Sequence, residues 1–137
     1  DPETQARIAT GEQVIRAESL EDPVMQARSA MATARRIGEW EREQTHESLL
    51  PYLEEEAGEF AAAVRQRAPE EDLLKELGDI FLQVLFHAEI STFSLDDVAA
   101  SFVRKMRSRA PYLFDGTAEL VGVEEQNRLW AEGKSRE

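Results

Sequence analysis

The chain has 137 residues, of which 28 are acidic and 16 basic, giving a formal net charge of −12 at pH 7. That field opposes the backbone of nucleic acids, which needs clustered Lys and Arg to displace counterions, so no nucleic-acid partner is expected. No apolar run approaches the roughly 18–20 residues of a membrane span. The polar start "DPETQARIAT" shows no hydrophobic leader segment, and the absence of cysteine excludes disulfides and thiolate metal sites, so the expectation is a cytoplasmic protein without a membrane partner.

Residues 1–21 have no sustained period beyond the Val14–Ile15 step and read as a linker or the tail of a preceding segment, leaving one domain over residues 22–137. Asp22 and Pro23 form an N-cap and first helical position. Val24, Met25, Ala27, Met31, Ala34 and Ile37 then step along an apolar face to Gly38, and a loop carrying Trp40 is expected next. The following helix opens in "QTHESLLP", where Thr45 or Ser48 can cap and Pro51 is tolerable only in the first turn. It runs to about Arg67 and breaks at Ala68–Pro69. Pro69 opens another helix, with Glu70, Glu71 and Asp72 in the first turn, where the dipole favours anions. Leu73, Leu74, Leu77, Ile80, Phe81, Val84, Leu85 and Ala88 give it a wide apolar stripe.

Ser94 with Asp97 reads as a capping box, and Val98, Phe102 and Met106 carry that helix towards Pro111. A last short helix is expected from Val123 to about Lys134. With no strand signal, the fold class is all-α. Four main helices and a fifth short one would form a bundle whose wide apolar faces call for completion by a homodimer or higher homo-oligomer.

Acidic residues are concentrated in "LEEEAGEF" and "KELGDI". Glu55 and Glu56 lie four and three residues before Glu59, and Glu76 lies three before Asp79, so each set shares one helix face. The short break at Pro69 makes the two helices antiparallel neighbours, and the sets can face each other across the hairpin. Two readings follow. Acids on helix faces are ordinary in so acidic a chain, and each set can be a solvated face. Alternatively, four converging carboxylates need a cation, and oxygen ligands alone favour Mg²⁺ or Mn²⁺. Gly58 and Gly78 interrupt the two acidic stretches at about 1 kcal/mol each relative to Ala in a helix interior.

Taken together, "EREQTHESLLPYLEEEAGEF", "LLKELGDIFLQVLFHAEI", "FVRKMRSRAPYLF" and "LWAEGK" resemble the MazG nucleoside triphosphate pyrophosphohydrolases over about residues 23–134. The resemblance includes the family's EExxE motif at Glu55, Glu56 and Glu59, and its ExxD motif at Glu76 and Asp79. It implies Mg²⁺-dependent cleavage of NTPs or dNTPs to monophosphate and pyrophosphate, as a house-cleaning enzyme of the nucleotide pool. Glu56, Glu59, Glu76 and Asp79 would hold the metal, with Glu55 as a further ligand, a base or a supporting partner. Lys105 and Arg109 match the family's basic pair at the phosphates, and Trp130 and Lys134 its late tryptophan–lysine pair. His46 and Trp40 are implied candidates for the substrate pocket, while His87 reads as a core histidine with its hydrogen bonds met.

The chain departs from the family at Gly38-Glu39 before Trp40, Gly58, Ala110, Tyr112 and Ala131. None is a metal ligand, so these departures bear on base preference and rate. Two other readings remain open: a narrower relative acting on a dUTP-like or phosphoribosyl-ATP-like substrate, and a non-catalytic module for nucleotide sensing or dimerisation.

Overall fold

A computed structural model describes residues 22–137; the stretch 1–21, read above as a linker, lies outside the described residues. Among the described residues there are six α-helices and one short 3₁₀ helix, and no strand. They divide into two compact units with the boundary after Leu95.

Helix α1 (Pro23–Ile37) starts as its sequence dictates: the Asp22 side chain accepts hydrogen bonds from the backbone N–H groups of Val24 and Met25. It stops at Gly38, whose N–H donates to the Ala34 carbonyl at 2.7 Å. The expected loop around Trp40 is instead a short helix, α2 (Glu39–Glu43). Two acids in its first turn complement the dipole, and the Gln44 side chain donates to the Trp40 carbonyl at 2.9 Å.

Helix α3 (His46–Arg65) opens with a reciprocal cap between Thr45 and Ser48. Because Thr45 is the cap, Pro51 falls in the second turn rather than the first. Its missing N–H would have met the carbonyl of Glu47, an exposed residue that water can serve, and the cap together with fully buried Leu49 holds the turn in place. The helix ends with Arg67 in the left-handed region, φ 55°, and Ala68 N–H donating five residues back to the Ala63 carbonyl. The chain then re-enters a helix, α4 (Glu70–Ile90), with Pro69 as its N-cap residue.

Helices α3 and α4 pack against each other, and α1 packs on α4. The core of this unit is Met31, Leu49, Leu85 and Phe86, flanked by Ala27, Phe81, Ile90 and Leu95. Burial on α4 is concentrated in its second half, at Gln83, Leu85, Phe86 and Ala88. The apolar stripe expected along the whole helix therefore splits: Leu74 and Leu77 in its first half are 72% and 51% exposed.

Helix α5 (Leu95–Arg109) leads into the second unit, followed by the 3₁₀ turn Pro111–Leu113 and α6 (Val123–Ser135). Within that unit α5 and α6 touch backbone to backbone. A Cβ added at Gly133 would lie 2.4 Å from the Ser108 carbonyl oxygen, and the Arg136 guanidinium donates to that same oxygen at 3.0 Å.

Candidate metal centre

The α3–α4 hairpin brings the two acidic motifs together. One carboxylate oxygen from each of Glu56, Glu59, Glu76 and Asp79 lies within 4.8 Å of all the others. Glu56 and Glu76 are partly buried, Glu59 and Asp79 exposed, so the cluster has a wet side and a dry side. Helical spacing supplies two carboxylates per helix, and the antiparallel crossing places the pairs opposite each other.

The electrostatics are those of four like charges held close together. Burial, followed by the charges of Glu59 and Asp79, pushes the Glu56 carboxyl above the usual carboxylate range. Burial and the same two neighbours push Glu76 up as well. Each has a buried Oε2 atom without a hydrogen-bond partner. Orphaned buried carboxylate oxygens on facing helices, with only hard oxygen donors around them, fit a divalent cation of the Mg²⁺ or Mn²⁺ kind. Glu55, the neighbour of Glu56 in the same run, is exposed, and its charge adds to those that raise Glu56.

Further along the hairpin, His46 at the start of α3 meets His87 near the end of α4, their Nδ1 atoms 2.7 Å apart. The expectation of a core histidine with its hydrogen bonds met does not hold for His87. Its Nδ1 is paired, but its buried Nε2 has no partner. Antiparallel packing sets the two rings opposite each other, which neither helix reveals alone. The Trp40 ring, about half exposed, meets the rings of Tyr52 and Phe86 edge to face, each at 5.9 Å.

In the second unit, Lys105 and Arg109 on α5 stand beside the Trp130 ring on α6, at 5.9 and 5.0 Å from its centre. Arg109 also donates to both carboxylate oxygens of Glu137, at 3.2 and 2.9 Å. Lys134 follows Trp130 by one turn and is exposed. The structure thus joins Lys105, Arg109 and Trp130 in one cluster.

Sequence reasoning overlooked Gln83 and Glu137. Glu137 carried no signal. Gln83 did: it is a polar residue inside the apolar run "FLQVLFHA", seven residues past Glu76, and it is buried at 4% exposure with its Oε1 unpartnered.

The profile of the MazG nucleotide pyrophosphohydrolase domain matches residues 44–114, which include all four clustered acids. Over 99% of its length the chain is 42% identical to a nucleoside triphosphate pyrophosphohydrolase of Mycolicibacterium smegmatis, covering 44% of that protein. It is 40% identical, again over 99% of its length, to one from Mycobacterium tuberculosis, covering 43%. The chain thus spans less than half the length of these curated relatives. Its fold is similar to the crystal structure of a mazG-related protein from Thermotoga maritima, with a TM-score of 0.70 and 27% identity, over 80% of this chain and 97% of the other.

Proposed function

The chain belongs to the MazG nucleotide pyrophosphohydrolase family, and from that premise we propose that it hydrolyses nucleoside triphosphates to the monophosphate and pyrophosphate in a Mg²⁺-dependent reaction. The observation that carries the reading is the convergence of four carboxylates, two of them with orphaned buried oxygens, on one point of the α3–α4 hairpin. Glu56, Glu59, Glu76 and Asp79 would hold the divalent cation. When bound, it supplies charge neutralisation for the triphosphate and a more acidic water.

The residues of the chain have separable tasks. The partly buried Glu56 and Glu76 fix the floor of the site, while the exposed Glu59 and Asp79 face the side from which a substrate arrives. Exposed Glu55 adjoins the cluster without belonging to it, which suits a base that takes a proton from the attacking water. Lys105 and Arg109 are assigned to phosphate, with Trp130 beside them and Lys134 one turn on. His46 and Trp40 are assigned to the nucleoside side of the pocket.

A homodimer is part of the proposal. The described residues leave large apolar side chains exposed, among them Leu74 and Leu77 on α4, and a second copy would cover such surface. The role suggested is removal of surplus or damaged nucleotides in the cytoplasm, and among the described residues no helix is long and apolar enough to cross a membrane.

The test is product chromatography after incubation with each NTP and dNTP and Mg²⁺. Monophosphate plus pyrophosphate, lost on adding a chelator, is the expected result. Diphosphate plus orthophosphate would assign the wrong bond, and untouched triphosphates would favour the non-catalytic sensing module.

A further inference from the structure

Three of the four buried side-chain atoms without a partner in the described structure lie on α4: Glu76 Oε2, Gln83 Oε1 and His87 Nε2. The fourth, Glu56 Oε2, belongs to the facing helix. Gln83 is seven residues past Glu76 and His87 four past Gln83, so at 3.6 residues per turn all three share one line along the helix. On a rise of 1.5 Å per residue, Gln83 lies about 6 Å beyond Asp79 along the axis, just past the carboxylate cluster.

A buried amide oxygen needs a donor. Ionised phosphates have none to offer, whereas a nucleoside has sugar hydroxyls and base N–H groups. The surroundings suit such a moiety. On antiparallel α3, Tyr52 stands four residues before Glu56, hence one turn away from the carboxylates towards the end where Gln83 lies. Tyr52 meets the half-exposed Trp40 ring, which also touches Phe86, three residues past Gln83. An aromatic wall and a buried acceptor therefore stand one to two turns beyond the carboxylates, on elements of one unit.

We infer that Gln83 is a specificity-determining residue, its buried Oε1 accepting a hydrogen bond from a donor on the nucleoside while the phosphates stay at the carboxylate cluster. The inference rests on the reading of that cluster as the triphosphate site. It uses only the hydrogen-bonding capacity of the amide.

The test compares wild type with Gln83→Met and Gln83→Leu, both of similar volume and neither with an oxygen acceptor, after circular dichroism shows which variant is folded. Binding of α,β-imido analogues of ATP, dATP, UTP and dUTP is measured by calorimetry with Mg²⁺, alongside inorganic tripolyphosphate. The expected result is a loss of about tenfold or more for at least one nucleotide, with tripolyphosphate affinity unchanged. A loss that follows the base at fixed sugar identifies a base N–H, and one that follows the sugar at fixed base identifies the hydroxyl. Equal losses for nucleotides and tripolyphosphate would place Gln83 in service of the cation site and overturn the inference, as would no loss at all. A wild-type protein that binds neither tripolyphosphate nor nucleotide would instead overturn the underlying reading, and this one with it.

Discussion

His46 and His87 share a single hydrogen bond across the α3–α4 hairpin: Nδ1 to Nδ1, 2.7 Å, with the ring planes within 4° of parallel. One nitrogen must donate and the other accept, so the contact survives with one ring neutral and is broken when both are protonated. Burial, and then the charge of His46, hold the His87 pKa below its ordinary 6.5.

The sign of the resulting pH dependence follows. Between 6.5 and the lower folded value, the unfolded chain binds more protons at this position than the folded one, so stability falls as pH falls through that window. Above 6.5 the group is neutral in both states and contributes no slope. Glu56 and Glu76, raised in the folded state, act in the opposite sense over the range from 4.5 upward, and they do so in wild type and variant alike. A difference measurement therefore isolates the histidine: in EDTA, the melting temperature of wild type should drop more between pH 7 and 5.5 than that of His87→Gln. Parallel curves would remove the pair from the pH response.

Glu56→Gln and Asp79→Asn should abolish turnover while leaving helicity intact. Each also removes one charge from a cluster of four carboxylates that repel one another, so the metal-free variants should melt no lower than wild type and gain less on adding Mg²⁺. The wild-type gain should grow with metal concentration by mass action. A gain reproduced by equal ionic strength of NaCl would point to a solvated acidic face.

Lys105→Ala should chiefly raise KM for the triphosphate, with kcat less affected, since its assigned task is phosphate binding. An unchanged KM in steady-state assays removes it from the site. The same substitution should cost little stability, because Lys105 is exposed beside Trp130.

Gly133→Ala should destabilise the second unit by about 1–3 kcal/mol, the usual cost of overpacking. The added Cβ would meet backbone, the Ser108 carbonyl and the Arg109 Cα, rather than a flexible side chain that could move aside. Gly78→Ala is the contrast: nothing lies within 4 Å of the Cβ position, and an exposed helix interior should gain about 1 kcal/mol. Chemical denaturation of the two variants checks both signs.

Arg67 holds a left-handed conformation at the end of α3 that glycine adopts without a Cβ penalty. Arg67→Gly is therefore expected to be neutral or stabilising by up to about 1 kcal/mol. A loss of stability in thermal melts would mean that the Arg67 side chain makes a contact of its own.

Much of this was legible in the residues. The cap at Asp22, the break at Pro69 and the i, i+3 spacing of the acids are local signals, and each element they announce is present within a residue or two. The errors have different sources, and two of them are local. Trp40 sits in a short helix closed by Gln44, Pro51 is carried in the second turn by a cap and a buried leucine, and Leu77 is exposed although its spacing is that of a core residue.

The sequence by itself determined the all-α class, the approximate limits of the five longer helices and which acids share a face, because helical periodicity and capping act within a few residues. Only the tertiary structure decided which faces meet. The 4.8 Å convergence of the carboxylates, the pairing of His46 with His87 and the burial of Gln83 all depend on how α3 crosses α4. That crossing is set by apolar packing around Leu49, Leu85 and Phe86, a contact between residues far apart in the chain that no short-range pattern encodes.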